Sequence, residues 1–386
     1  MTTEFLGRVR AARRPAAVPS FGPLRALDAS LLAAVAVAVG FGLLMIFSAT
    51  LRGGEVASLW DDLVVKQAAF AAAGVVALAM ATATDYRALQ ALWPWLYLGM
   101  VGALGLVLAT GDVGLGSQRW FELGVASIQP SEFVKVGMVV CLAAYFARFD
   151  ARKLRHVIVS LALTGAMAVL VLLQPNLSTA LLLAFIWLGI AFAAGLRLLH
   201  FGLLVLLAGP AVWAIMAAGV LQDYQLMRIS AWLDPASDPL GMGFQNAQTL
   251  IAVGNGGLLG IGFANGSQSQ GGWLPLLHTD NIYALVAEEL GFVGGLAVLV
   301  LLGFIVQRVV KAGARASDRP GALICAGVAS WLLAQTLVNV GVVLQLLPVT
   351  GLSLPFISYG GSSLVALMMA VGLVQSVRLR RRRDGR

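Results

Sequence analysis

Ten apolar runs, each near the length that crosses a bilayer, limit what this chain can fold into. A helix needs roughly 17–25 predominantly apolar residues to span the hydrocarbon core. Such runs fall at about 27–47, 64–82, 91–110, 132–147, 157–173, 177–195, 198–219, 281–306, 321–345 and 360–378, the fourth and fifth being short. Only 11% of the 386 residues are charged and 59% are hydrophobic. A soluble domain carries roughly 25% charged residues. The expected fold is an all-α polytopic membrane protein of about ten transmembrane helices. It forms a single membrane domain over 27–378, with basic tails at 1–26 and 379–386 and a large loop at 220–280 between the seventh and eighth spans. The first run is long enough to span and follows a Pro-interrupted tail, so it reads as a mature helix and not as a cleaved leader.

The net charge of +8 resides in short loops and tails between these runs, which argues against a nucleic-acid surface. One side collects Arg8, Arg10, Arg13, Arg14 and Arg25, then Arg87, the cluster Arg148/Arg152/Lys153/Arg155, Arg197, Arg308/Lys311/Arg315/Arg319, Arg378, Arg380 to Arg383 and Arg386. The other holds Arg52, Arg119 and Arg228. Basic residues mark the cytoplasmic side, so both tails are expected inside and 220–280 outside. Chemistry at that loop has no ATP and must draw on the substrate or on a gradient. Cys141 and Cys325 lie within apolar runs and give neither a disulfide framework nor a metal spacing.

Polar residues in so apolar a chain mark candidate sites, because an ionised group at mid-bilayer costs roughly 2.5–3.5 kcal/mol. His278, Thr279 and Asp280 stand where the eighth run begins, and Glu288 and Glu289 follow inside it. Asp280 reads either as a helix N-cap or as a functional carboxylate approached by Trp273, Pro275 and His278. The glutamates lie roughly 12 Å deeper at the helical rise and on other faces. They are expected to be structural or coupling groups and not partners of Asp280 in a glycosidase-type pair.

Three further stretches stand out. In Gln129-Pro130-Ser131-Glu132-Phe133-Val134-Lys135, Ser131 is a plausible N-cap, and Glu132 and Lys135 share a helix face. With Arg119-Trp120 they read as an interfacial ion pair or as a cationic rim for an anionic substrate. Leu233-Asp234-Pro235 and the run Gly254 to Gly262 have no preceding strand and no Gly-Lys-Ser/Thr, so they form no nucleotide loop. They are expected to lie on or dip into the membrane with their backbone buried in protein. Leu347 to Ser363 contains Ser358, Gly360, Gly361 and Ser362 before the last run, as in tight helix packing or an anion site at a helix start.

These motifs, in this order, resemble the SEDS family of bacterial peptidoglycan polymerases, the RodA- and FtsW-like proteins. The resemblance also takes in Gln174-Pro175-Asn176-Leu177-Ser178-Thr179-Ala180 and Glu288-Glu289-Leu290-Gly291, and it covers nearly the whole chain. It implies a ten-span fold and processive glycosyl transfer on lipid II. The essential carboxylate falls on Asp280. Trp120, Glu132 and Lys135 match family positions, and Arg119, His278, Thr279, Ser358, Gly360, Gly361 and Ser362 join them as expected substrate-binding residues. A divalent cation, Mg²⁺ or Mn²⁺, and a class B penicillin-binding protein partner are implied as well. The chain departs from the family pattern at Asn176, Ser178, Ile261, Leu276 and Asn281. A job in elongation or in division is left open.

The expected mechanism has Asp280 as general base on the acceptor sugar hydroxyl. Lys135, Arg119 and a bound cation would stabilise the leaving pyrophosphate. A lipid II flippase would use similar features but needs a polar path through both leaflets. A scaffold for a synthase leaves the outer polar cluster without a purpose.

Overall fold

The computed structural model describes residues 26–51, 62–114, 117–122, 127–217, 223–234, 238, 241–274 and 276–381. Most of the N-terminal tail, the end of the C-terminal tail, Arg52, Pro235 and Pro275 lie outside the described residues. Each apolar run carries a helix: α1 (Ala29–Thr50), α2 (Leu63–Ala83), α4 (Trp93–Thr110), α5 (Pro130–Arg148), α6 (Leu154–Leu173), α7 (Leu177–Ala193), α8 (Leu198–Ala217), α12 (Ile282–Ala314), α13 (Arg319–Val343) and α14 (Gly361–Leu379). Eight of these are long and apolar enough to cross a membrane; α7 and the apolar part of α8, Leu198–Leu207, are shorter. The short helix α3 (Tyr86–Ala91) joins α2 to α4, and α9 (Asp223–Leu233), α10 (Met242–Asn255) and α11 (Ser267–Gly271) occupy the long loop.

Burial sorts the helices. The α5 helix is enclosed over nearly its whole length, and α13 and α14 over most of theirs. The peripheral α2, α4 and α8 turn Val75, Met80, Leu98, Leu106, Leu198 and Leu206 outward, as a protein in lipid does. Between α2 and α14 the backbones approach closely: a Cβ on Gly372 would sit 2.5 Å from the Leu78 carbonyl oxygen. Close approach through small residues is how spans associate where lipid removes the hydrophobic drive between helices.

Two local structures escape the apolar pattern. Residues between α4 and α5 form a small antiparallel sheet, β1 (Asp112–Gly114), β2 (Ser117–Glu122) and β3 (Ser127–Ile128), in that order. The strands are too short and polar to show a period in the sequence. The other is a break in α12 at Gly291, whose φ of 69° and ψ of −167° are non-helical. That region is open essentially to glycine alone. Inside a span, the amides and carbonyls freed by such a break must find partners in the protein. Here the Gly254–Gly262 run supplies them. Ile261 and Gly262 amides donate to the Glu288 and Glu289 carbonyls at 3.1 and 3.0 Å. The Phe292 and Val293 amides donate to Gly257 and Leu258 at 2.9 and 3.1 Å. The run thus folds against the helix with its backbone paired, which accounts for its apolar composition.

Gly291→Ala forces a Cβ to within 2.3 Å of the Gly260 nitrogen, in a backbone region that alanine avoids. Thermal melting in detergent should show a loss of about 1–3 kcal/mol. Gly303→Ala, with nothing within 4 Å of the added carbon, should melt as the parent does. Equal melting of both variants would mean that the break is not fixed by Gly291.

Candidate active site at one end of the spans

Asp280 ends a tight turn that starts at Leu276 and leads into α12. The Leu276 carbonyl receives the Thr279 amide and the Thr279 hydroxyl, both at 3.1 Å. The N-cap of α12 is Asn281, and no side chain caps it. The capping reading of Asp280 therefore fails: its carboxylate receives no hydrogen bond from the described residues. Its Oδ2 faces Gly351, where an added Cβ would stand 3.5 Å away, and Gly351 has a φ of +75°. Glycine there leaves that flank of the carboxylate uncovered. Burial raises the Asp280 pKa to about 6, against a pull downward from the Arg228 guanidinium. Burial also lowers the pKa of His278 and raises that of Tyr359. These two rings meet edge to face, 5.5 Å apart, and the Tyr359 amide donates to the His278 carbonyl at 2.8 Å.

What holds this turn is a polar stripe on α13 that the sequence reading did not pick out. Trp331, Gln335 and Asn339 recur at a four-residue spacing, hence on one helix face. Asn339 Nδ2 donates to the Asp280 carbonyl at 2.9 Å and to the Leu352 carbonyl at 2.6 Å. Gln335 Nε2 donates to the Ser353 carbonyl at 2.8 Å and Gln335 Oε1 accepts from Trp331 Nε1 at 2.7 Å. The helix thereby ties the Asp280 turn to the Gly351–Ser353 loop. Ser178 donates to the Thr350 carbonyl of the same loop, and Arg228 reaches the Val349 and Thr350 carbonyls at 3.3 and 3.4 Å. Asn176 caps α7 by accepting from the Thr179 amide at 3.1 Å. The departures at 176 and 178 thus have structural work to do.

The other predicted residues divide. Lys135 pairs with Glu132 at 2.7 Å and lies over the Trp331 ring, 4.9 Å from its centroid. Its side chain is only 1% exposed, so it is no surface rim: it sits roughly 12 Å below Asn339 along α13, eight residues at the helical rise. A buried pair of this kind is costly to break, because about 3–5 kcal/mol follows from leaving one charge unpaired. Ser131 is not the N-cap of α5; that position is Gln129, with Pro130 starting the helix. Arg119 and Trp120 are half-buried on β2. Ser362 accepts from the Gln129 amide at 3.0 Å and donates to the Ser127 carbonyl at 3.2 Å, which fastens β3 to the start of α14. Ser358 receives the Leu354 amide at 2.8 Å, and Gln67 of α2 bridges Ser358 and Gly360 at 3.2 Å each. Gly361 makes room for the Phe70 ring. The polar groups of these residues are engaged in tying α2, β3 and the loop before α14 together.

Glu288 and Glu289 do not converge on Asp280. Glu288 caps α11, accepting from the Gln268 and Ser269 amides at 2.7 and 3.0 Å. Glu289 receives the Ser48 hydroxyl of α1 at 2.5 Å. Among the described residues no three His, Cys, Asp or Glu side chains group as a metal site. Among the described residues there is thus no cage of protein ligands for a divalent cation. Mg²⁺ commonly uses one or two carboxylates with water and substrate phosphates, a role for which this site offers Asp280. An apolar groove of about 740 Å³ lies between α2, α4, α5 and α14, and no residue of the Asp280 turn lines it. It runs from Ile128 and Pro130 past Met100 and Phe133 to Thr84 and Leu89 near the other end of the spans.

These features define a polytopic helical membrane protein with a half-buried carboxylate at one end of its spans and an apolar groove between four of its helices. The chain belongs to the FtsW/RodA/SpoVE family of cell cycle proteins, whose family model matches residues 29–383. It is 37% identical over 315 residues to the peptidoglycan glycosyltransferase MrdB of Escherichia coli (strain K12), spanning 81% of this chain and 84% of that protein. It is 34% identical over 359 residues to stage V sporulation protein E of Bacillus subtilis (strain 168), spanning 87% and 92%. A chain solved under the description "Structural coordination of polymerization and crosslinking by a peptidoglycan synthase complex" superposes with a TM-score of 0.76 at 30% identity, covering 93% of this chain and 99% of that one. The rod shape determining protein RodA of Thermus thermophilus superposes with a TM-score of 0.68 at 30% identity, covering 93% and 98%.

The raised Asp280 pKa has a consequence for stability. A carboxyl whose pKa rises from 3.8 to about 6 on folding favours the folded state while it is protonated. That contribution is complete below about pH 4 and is lost as pH rises through about 6. Asp280→Asn removes the titration. The variant should melt higher than the parent by about 1–2 kcal/mol at pH 7.5, and the gap should close toward pH 4. A gap that is constant with pH would contradict the raised pKa.

Proposed function

We propose that this chain polymerises lipid II into β-1,4-linked glycan at the outer face of the bacterial cytoplasmic membrane. The observation that carries the reading is Asp280: a carboxylate at the outer end of a span, bonded to nothing among the described residues, with a pKa near the range where a base works. Peptidoglycan glycosyltransferase is also the activity by which the MrdB relative is named. In the proposed reaction the Asp280 carboxylate takes the proton from the acceptor GlcNAc 4-hydroxyl. The oxygen attacks the donor MurNAc anomeric carbon from the face opposite the pyrophosphate, giving the β link. The bond to undecaprenyl pyrophosphate breaks and the electron pair leaves with that phosphate. Arg228, close enough to lower the Asp280 pKa, is placed to neutralise charge gathering there. A substrate-shared Mg²⁺ would do the same. The buried Lys135–Glu132 pair supports Trp331 and hence the stripe that holds the Asp280 turn. The groove, long and almost wholly apolar, suits an isoprenoid chain.

The lipid-linked substrate and the basic residues together favour ten spans with both termini cytoplasmic and residues 220–280 outside. A class B penicillin-binding protein is the proposed partner, in keeping with the synthase complex to which the fold is similar. A cysteine at Ser237, in a background lacking Cys141 and Cys325, should react with an impermeant maleimide in intact cells. Reaction only after permeabilisation would reverse the sides.

Purified wild type should convert labelled lipid II into glycan chains, with activity rising as pH climbs through about 6. Asp280→Asn should remain folded yet lose about 10²–10⁴ in rate, the usual cost of losing a general base. Equal polymer from equal folded amounts of both would remove Asp280 from the chemistry. No polymer from either, with labelled lipid II moved between leaflets, would favour a flippase.

A further inference from the structure

At the end of the spans opposite Asp280, α12 and α14 meet the start of α1 around one buried carboxylate. Asp28 is 3% exposed at its side chain. Arg308 grips it in a fork, with Nη2 at 2.7 Å from both carboxylate oxygens and Nε at 3.1 Å from Oδ2. Arg378 also pairs with Asp28 and donates from Nε to the Ala26 carbonyl at 3.0 Å. Asp28 further caps α1 through the Leu31 amide at 3.2 Å and exchanges hydrogen bonds with Gln375 of α14 at 2.9 and 3.2 Å. Both oxygens of the carboxylate are engaged by these partners.

A shallow depression opens beside it, lined by Asp28, Arg308, Lys311, Arg315, Arg378 and Arg381. Five cations thus line a depression that holds one carboxylate, and two of them pair with it. Lys311, Arg315 and Arg381 form no ion pair among the described residues. Membrane topology alone asks for basic residues near the ends of spans. It does not ask them to converge from two helices on a preorganised depression, where their mutual repulsion opposes folding. An anion set among them would relieve that repulsion. Val300, Phe304 and Val310 of α12 are exposed on the adjoining lipid-facing surface, which leaves an apolar wall for acyl chains.

We propose that this depression binds the phosphodiester head group of an anionic phospholipid in the leaflet on the side of the two tails. Guanidinium groups present paired donors that match phosphate oxygens, and a basic recess between span ends is the form such lipid sites take. The site is separate from Asp280 and does not depend on the polymerase reading.

The test uses the full-length protein in neutral detergent, offered equal amounts of phosphatidylglycerol and phosphatidylcholine, with retained lipid counted by native mass spectrometry. Phosphatidylglycerol should be retained over phosphatidylcholine by roughly tenfold or more, given about 1 kcal/mol for each basic residue at such a surface. The variant Lys311→Gln/Arg315→Gln/Arg381→Gln keeps the Asp28–Arg308–Arg378 tie, and it should lose the preference while eluting as a monodisperse species. Arg152→Gln/Lys153→Gln/Arg155→Gln removes as many charges from another basic cluster and should keep the preference. No preference in the wild type overturns the proposal whatever the variants do. So does equal loss in both triple variants, or retention in the first. Displacement of the lipid by millimolar glycerol phosphate would assign the site to a soluble phosphate and overturn the lipid.

Discussion

Backbone groups inside a bilayer have no water to fall back on, and the break in α12 at Gly291 makes that constraint visible. Four freed backbone groups on the two sides of the break pair with residues 257–262. The loop after α10 is drawn against the span by these bonds. Glu288 and Glu289 follow from the same geometry. Both stand just before the break, and both are spent on neighbouring elements, α11 and α1. A charged pair within a span suggests chemistry. Here the carboxylates bind α11 and α1 and help set where the long loop before α12 lies.

The long loop between α8 and α12 leads into the Asp280 turn. That turn is held through the Asp280 backbone carbonyl, by Asn339, while among the described residues the carboxylate itself has no hydrogen-bond partner. Burying a carboxyl in that way raises its pKa and favours the neutral form. Among the described residues, Arg228 is the group that pulls the other way. A residue kept at a cost to folding stability is a candidate for function, and the proposed proton transfer is a use for it. The stripe Trp331–Gln335–Asn339 carries this geometry down α13 to the ion pair of Lys135 and Glu132. A change at that buried pair can therefore reach Asp280 through the helix without either residue touching substrate.

The two ends of the molecule differ in how they treat charge. At the Asp280 end, isolated polar groups are absorbed into loops and caps. At the other end a single carboxylate, Asp28, gathers arginines from two helices and joins the start of α1 to both. This tie closes the bundle where α1, α12 and α14 leave the membrane.

The apolar runs were legible in the sequence because a span must be both long and apolar, and each of the ten stretches carries a helix. Asp280 was legible for the complementary reason: a charged residue at the edge of an apolar run is conspicuous. The sequence could not show that Asp280 caps nothing, that Ser131 is inside α5, or that Lys135 is buried, because those outcomes depend on which helix lies alongside. Trp331, Gln335 and Asn339 were overlooked as single polar residues in an apolar run, although their four-residue spacing was there to be read. The break at Gly291 and its pairing with residues 257–262 were decided by tertiary structure alone. Hydrogen bonding between segments some thirty residues apart leaves no local period, whereas the hydrophobic requirement of a span is written residue by residue.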